Sequence, residues 1–496
     1  MTWVMKKRIH QIELFRKYPH DVQSELFTNL LQTAKSTDWG KKYGYDDLTS
    51  PEQYRQRVPV STYEDLYPQI ERTMKGEANV LWPGVITWFS KSSGTTNARS
   101  KFIPVSKEAL EDCHYKGGKD MLSIYANMYP DTKLFNGKML SIGGSLHPNE
   151  FNPNSQCGDI SAVIMQNLPI WAELGRTPPL KVALMDKWEE KIEAMAEATI
   201  PENVTGISGV PTWTYVLLNR ILEITGKQNI TEVWPNLELF AHGAVAFSPY
   251  RSLFTHIIPS DKMHYLEIYN ASEGFFGIQD QPGTDDEMLL MLDYGVYYEF
   301  IPADQFDAEQ PQTIGLDQVE LNKNYALVIS TNAGLWRYKI GDTVKFTSLS
   351  PYRIKISGRT KHFINAFGEE VIIENAEAAI TAACEKTGAI IVNFTAAPLY
   401  FEGRNRGGHE WAIEFAQPPQ DLEQFTQVLD QTLRSINSDY DAKRQNDIAL
   451  QSPLIRAAPA GTFHRWLSQK GKLGGQHKVP RLSNSREHLE EILKLL

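Results

Sequence analysis

The run Ser92-Ser93-Gly94-Thr95-Thr96-Asn97-Ala98-Arg99-Ser100-Lys101 gathers hydroxyls, one early glycine and two cations into a short stretch. Backbone N–H groups and Ser/Thr hydroxyls in such a loop can donate around a polyphosphate, and a lysine adds charge. The spacing G-x-x-x-x-G-K-[ST] is absent, so this is not a Walker A loop. A Ser/Thr-rich surface turn would look the same on spacing alone. Further on, Tyr269-Asn270-Ala271-Ser272-Glu273-Gly274 offers a carboxylate and an aromatic ring. Glu273 could bind Mg²⁺, which takes oxygen ligands and commonly bridges a carboxylate and substrate phosphates. Tyr269 could stack on a flat ring. The plainer alternative is a helix N-terminal glutamate beside a core tyrosine. In Arg337-Tyr338-Lys339-Ile340-Gly341-Asp342, an ionised Asp342 could accept both hydroxyls of a ribose diol, or the Gly-Asp pair could simply make a turn. The tail Gly471-Lys472-Leu473-Gly474-Gly475-Gln476-His477-Lys478-Val479-Pro480-Arg481 is glycine-rich and basic. It reads either as a mobile cationic arm or as a solvated tail.

The elements that must hold these groups alternate between short strands and longer helices. Residues 12 to 35 have apolar positions at helical spacing, as do Tyr63 to Met74 and Trp188 to Thr199. Lys107 to Met128 reads as a helix that starts near Ser106 and is interrupted at Gly117-Gly118. Residues 85–89, 138–142, 237–240 and 265–269 read as strands, and three of the polar loops follow strands of this kind. That pattern predicts an α/β layered domain with ligands gathered beyond the strand ends. Residues 287 to 346 are strand-rich. After Gly358 the texture changes to a hairpin around Ala366-Phe367-Gly368, a helix, two strands and another helix. The expected division is a large domain over 1–357 and a small mobile α+β domain over 358–496.

At 496 residues the chain is too long for one ordinary core. A net charge of −10, from 50 Lys/Arg and 60 Asp/Glu, argues against a general nucleic-acid or anionic-membrane binder. Cys113, Cys157 and Cys384 make no C-x-x-C pair, so they read as small buried apolar residues rather than as disulfides or a zinc site. The absence of a membrane-length apolar run and of a signal-peptide core leads to a cytoplasmic expectation.

Individually these motifs are weak, but their order is specific. Ser-Ser-Gly-Thr-Thr…Lys, Tyr-x-x-Ser-Glu, Arg-Tyr-x-x-Gly-Asp, Gly-Arg-x-Lys-x-x-Ile-x-x-x-Gly and a C-terminal lysine together resemble the adenylate-forming superfamily. One branch fits the finer wording. Lys101-Phe102-Ile103-Pro104, Ala271 through Gly277, Tyr298-Glu299-Phe300-Ile301-Pro302 and Gln476 through Arg481 look like the auxin-responsive acyl-acid amido synthetases. That family is known from plants and has bacterial relatives, and the chain reads as one of the latter.

The resemblance implies a luciferase/acyl-CoA synthetase-like fold and an enzyme that uses ATP and Mg²⁺. Such an enzyme joins a small carboxylic acid to an amino acid, releasing pyrophosphate and then AMP. By carry-over, Ser92, Ser93, Gly94, Thr95 and Thr96 would hold the phosphates and Glu273 the Mg²⁺, with Ser272 beside it. Tyr269, Gly243 and Ala244 would form the adenine pocket. Asp342 would hold the ribose, with Arg337 close by, and Lys478 would meet the α-phosphate. Lys361 falls at the superfamily's hinge. The acid pocket would involve Val210 and Trp213, with Lys116 and Lys119 steering the carboxylate unless they are solvated helix lysines. Asn97-Ala98-Arg99 replaces the glycines usual at the end of the first loop. A CoA ligase, sharing the adenylation step, and a non-catalytic nucleotide-binding protein are the competing expectations. Neither a membrane nor a nucleic-acid partner is expected.

Overall fold

The computed structural model describes residues 2–92, 101–248, 250–284, 286–306, 308–359, 363–401, 406–470 and 479–496. Ser93, Gly94, Thr95, Thr96, Lys361 and Lys478 lie outside those residues.

A mixed sheet of eleven strands runs through the chain. One half is parallel: Arg176–Thr177, Lys138–Ser141, Val204–Gly209, Leu239–His242 and His264–Ala271, in that spatial order. The other half is antiparallel. It continues through Gly274–Ile278, Met288–Leu290, Tyr352–Arg359, Tyr338–Leu349, Asn324–Thr331 and Val296–Pro302. Strands covered on both faces need continuous apolar runs. Leu239–His242 and Gly274–Ile278 are buried at every position, as that requires. Helices Trp188–Thr199, Pro211–Thr225 and Arg251–Ile257 bury Ile192, Met195, Leu217, Ile221 and Phe254 in one cluster with the parallel strands. The α/β expectation therefore holds.

A second sheet has four strands in the order Lys101–Val105, Trp88–Ser92, Asn152–Gly158, Leu146–Asn149, the first two of which flank the hydroxyl-rich run in sequence. Near the C-terminus, strands Ile390–Leu399, Gly408–Gln417 and Leu454–Ala458 form a separate sheet. Helices Ile373–Thr387 and Leu422–Ile436 pack against each other beside it. The apolar cluster under these helices is continuous with that of the parallel half. Phe367, Phe401, Trp411 and Leu429 belong to the same cluster as Tyr215, Phe240 and Tyr250. Tyr215 and Phe401 rings lie 5.3 Å apart, and the Tyr250 hydroxyl donates to the Ala366 carbonyl at 2.6 Å. The core thus crosses the expected division at residue 358.

Several local expectations change. The helix expected over 12–35 is two helices, Thr2–Lys17 and Pro19–Ala34. Pro19 lacks the N–H needed to continue the first and suits the opening turn of the second. Helix Lys116–Met128 runs through Gly117 and Gly118 without a break. Gly117 serves packing, since a Cβ there would sit 2.4 Å from the Phe275 ring. Glu273 occupies the turn of a β-hairpin rather than a helix N-terminus. Asp342 lies inside strand Tyr338–Leu349 rather than in a connection, where Gly341 at φ +102° and a bulge after Thr343 bend the ladder. Elements that were not expected include the strands Leu146–Asn149 and Asn152–Gly158, the helix Arg251–Ile257 and, near the C-terminus, Ser438–Arg444, Leu454–Ala458, Thr462–Gln469 and Glu487–Leu493.

Candidate active site

The loops at the ends of these strands surround one cavity of about 1790 Å³. Its walls come from the four-stranded sheet, both halves of the large sheet and the C-terminal elements.

Ser92 ends the strand Trp88–Ser92 and lines the cavity. Two residues earlier, the Ser90 hydroxyl is 2.9 Å from that of Ser272. That bond ties the hydroxyl-rich strand to the hairpin turn carrying Glu273. Ser272, Glu273 and Tyr269 all line the cavity. The Tyr269 hydroxyl donates to Asp342 Oδ2 at 2.5 Å, so the expected adenine and ribose groups are coupled. A charge-assisted O–H···O⁻ bond of this length is among the strong ones. Gly243 must be glycine, because a Cβ would lie 2.4 Å from the Ile268 carbonyl. Ala244 follows at φ +71°, an unfavourable conformation for a residue with a Cβ. Asn365 Nδ2 donates to its carbonyl at 3.2 Å, bringing the C-terminal part of the chain onto this turn.

Val210 and Trp213 line the cavity, as do Lys116 and Lys119. The two lysines differ. Lys116 Nζ donates to the Asp293 carbonyl at 2.6 Å and pairs with its carboxylate at 3.0 Å, whereas the Lys119 side chain is exposed. Trp213 stacks on Trp188 at 3.7 Å with rings 2° from parallel. Lys191 and Lys443 cap this pair, with ammonium groups 4.7 Å and 5.6 Å from the Trp188 and Trp213 rings.

Arg337 requires a correction. It is 3% exposed and does not line the cavity. Its Nε donates to Glu299 at 3.0 Å, Nη1 to the carbonyls of Arg55 (2.9 Å) and Val58 (2.5 Å), and Nη2 to the Thr313 hydroxyl at 2.6 Å. The guanidinium is a structural bolt between the N-terminal segment and the antiparallel half.

Three cavity groups, Arg8, Asp159 and His114, and one buried lysine behind the cavity wall, Lys191, escaped the sequence reading. Arg8 of the first helix pairs with Asp120 at 2.7 Å and Asp293 at 2.8 Å, and Tyr294 also donates to Asp120 at 2.7 Å. This network fixes the helix bearing Lys116 and Lys119. Behind the Gly143-Gly144 loop, buried Lys191 donates to both glycine carbonyls at 2.5 Å and 2.9 Å. Burial pushes its ammonium down to about 8, with Asp159 opposing the shift. The Asp159 carboxyl is raised by burial and by Asp439. His114 lines the cavity, and burial pushes it down to about 4. One signal was available: Lys191 shares a helical stripe with buried Met195 and Thr199, an unusual place for a lysine.

Among the described residues there is no group of three or more His, Cys, Asp or Glu able to hold a metal ion. One cavity carboxylate, Glu273, fits a cation that takes its remaining oxygens from a substrate.

The chain matches three models of one family: the GH3 family N-terminal domain over residues 8–263, its central domain over 289–359 and its C-terminal domain over 374–487. It is 23% identical to an indole-3-acetic acid-amido synthetase, GH3.3, of Arabidopsis thaliana, covering 96% of this chain and 91% of that protein. It is also 23% identical to the jasmonoyl–L-amino acid synthetase JAR4 of Nicotiana attenuata, covering 95% and 92%. Both are plant proteins and lend no support to a bacterial source. Among solved structures, the AtGH3.15 acyl acid amido synthetase in complex with 2,4-DB superposes with a TM-score of 0.64 at 16% identity, covering 100% of this chain and 97% of that one. A 2-hydroxyisobutyryl-CoA ligase, with 2-HIB-AMP and CoA, gives 0.57 at 12% identity, covering 96% and 92%. At these identities the likeness concerns the fold. No helix among the described residues is long and apolar enough to cross a membrane.

Proposed function

Because the chain belongs to the GH3 family, we propose that it is an ATP-dependent acyl acid–amino acid ligase. In the first step a carboxylate oxygen attacks the α-phosphorus of ATP and pyrophosphate leaves, giving an acyl-adenylate. In the second an amine attacks the acyl carbon and AMP leaves, giving an amide. The observation that supports this reading is convergence. Ser92, Gly243, Ala244, Tyr269, Ser272, Glu273 and Asp342 are drawn from positions 150 residues or more apart in part, yet all border one cavity.

In this reading the loop from Ser92 through Thr96 cradles the phosphates with hydroxyl and backbone N–H donors. The Asp342 carboxylate accepts from the ribose, and the bond from Tyr269 fixes its orientation while the tyrosine ring forms one wall of the base pocket. Glu273 supplies a carboxylate to Mg²⁺, which when bound offsets phosphate charge as the carboxylate approaches an anionic centre. Lys478 supplies a cation to the α-phosphate. Lys119 is the better placed of the two helix lysines to meet the acid, since Lys116 is engaged by Asp293. Val210 and Trp213 contribute an apolar wall on the acyl side. By resemblance, the segment after residue 357, with Lys361 at its hinge, would reorient between the two steps, a movement that requires the shared apolar cluster to part.

The test is a panel of carboxylic acids crossed with amino acids, read by pyrophosphate release and product mass, with CoA as a parallel acceptor. The ligase reading predicts an acid-dependent pyrophosphate burst and an amide product. Turnover with CoA alone, or no pyrophosphate with any acid, refutes it.

A further inference from the structure

Residues Ala109–Tyr115 wind as a π-type turn ahead of helix Lys116–Met128. Such turns are rare inside helices and concentrate at functional sites. The C-terminal half of this turn and the first turn of the following helix are pinned from the hairpin strand. Cys113 Sγ accepts the Phe275 N–H at 3.1 Å, and Gly117 packs so closely on the Phe275 ring that a Cβ has no room. Between these anchors stands His114, 3% exposed and lining the cavity. Its Nδ1 lies 3.1 Å from Asn270 Oδ1, and Asn270 lines the cavity too. An amide oxygen only accepts, so Nδ1 carries the proton and Nε2 keeps its lone pair. Asn270 belongs to the strand that ends at the Ser272-Glu273 turn. The ring is therefore held beside the turn that would face the phosphates.

We propose that His114 takes the proton of the attacking amine in the second half-reaction, a role that rests on the ligase reading above. The amine lone pair forms the C–N bond to the acyl carbon. The nitrogen's proton passes to Nε2. The acyl C–O bond to the adenylate breaks, and its electron pair leaves with AMP. Nε2 then returns the proton to water. Burial keeps the imidazole neutral, so Nε2 carries a lone pair, and it also makes the ring a weak base that holds the proton only in passing before handing it on. Asn270 acts as a positioning residue that fixes the tautomer.

The experiment measures three rates on purified wild type and His114→Gln: acid-dependent ATP–pyrophosphate exchange, amide formation with an amino acid, and hydroxamate formation with hydroxylamine. Glutamine retains polarity and hydrogen bonding but cannot take up a proton at neutral pH. The electron-withdrawing hydroxyl of hydroxylamine makes its adduct nitrogen acidic enough to lose the proton to water, so this reaction depends little on a protein base. The expected result is exchange within about twofold of wild type, amide formation lower by about 10²–10⁴-fold, the scale of general-base catalysis, and hydroxamate formation lower by less than about tenfold. Equal losses in all three rates, or amide formation within about threefold of wild type, overturn the proposal. Asn270→Leu serves as a second variant that leaves the ring in place. It too should lose amide more than hydroxamate, and an even loss across the rates counts against the proposal. A wild type that forms no adenylate overturns the ligase reading itself. A wild type that forms amide, matched by His114→Gln, overturns the proton role alone.

Discussion

Replacing Arg337 by methionine separates a structural arginine from a catalytic one. The guanidinium makes four hydrogen bonds within the protein: one to Glu299, two to backbone carbonyls and one to Thr313. Glu299 is 1% exposed, so removing its partner strands a carboxylate in the interior. Breaking a buried pair on one side typically costs about 3–5 kcal/mol. Two features put this site at the lower end. Arg55 Nε lies 3.3 Å from the other Glu299 oxygen, and the Thr313 hydroxyl still donates to the carboxylate at 2.7 Å. A loss of about 3 kcal/mol is expected, a large share of a typical total of about 5–15 kcal/mol. The assay is denaturant unfolding followed by tryptophan fluorescence, alongside pyrophosphate exchange normalised to folded protein. The unfolding midpoint should drop, whereas exchange per folded molecule should stay within about threefold of wild type. The double variant Arg337→Met/Glu299→Gln should recover part of the lost stability, because no charge is then stranded. If Arg337→Met unfolds at the wild-type midpoint yet loses exchange by about 10²-fold or more, the guanidinium acts on substrate and the structural assignment fails.

Four other outcomes are expected. Asp342→Ala should raise the KM for ATP by about 10- to 100-fold, from bonds to a charged group, and Tyr269→Phe by only several-fold; an unchanged ATP affinity in Asp342→Ala would rule out the ribose role. Lys478→Ala should lower pyrophosphate exchange by about 10²-fold or more, and near-normal exchange would remove the lysine from the adenylation step. Gly117→Ala should cost about 1–3 kcal/mol by overpacking against Phe275, while Gly118→Ala, with nothing within 4 Å of its Cβ, should be neutral or stabilising; paired thermal melts compare them, and equal melting points would contradict the packing account. Burial depresses His114 from 6.5 to about 4. Between those values the unfolded chain binds a proton that the folded chain refuses, so stability should fall as pH drops through this window, with His114→Gln falling less steeply; parallel slopes for the two proteins would refute the assignment.

Local signals carried much of the fold. Thr62 and Asp65 cap the helix Tyr63–Met74 reciprocally, so its start could be read from four residues. The stripe Phe425, Leu429, Leu433 marked helix Leu422–Ile436 just as clearly. Long-range facts were illegible. Gly117 looks like a helix breaker until Phe275 arrives on top of it, and Arg337 looks like a site residue until Glu299 is found beside it. Family wording identified Tyr269 and Asp342 separately, but nothing in the sequence says that they touch. His114 carries no motif at all. Its meaning comes from Asn270, 156 positions later.

The apolar cluster that spans residue 358 has a consequence for the chain's synthesis. When the first 357 residues have emerged, Tyr215, Phe240 and Tyr250 still lack Phe367, Phe401 and Leu429. The 72 residues from 358 to 429 (429 minus 357) take roughly 4–14 s to add at about 5–20 residues per second. For that interval the nascent protein presents a wet aromatic face that the finished protein hides. A slow codon stretch after residue 357 would lengthen that exposure without changing a single amino acid.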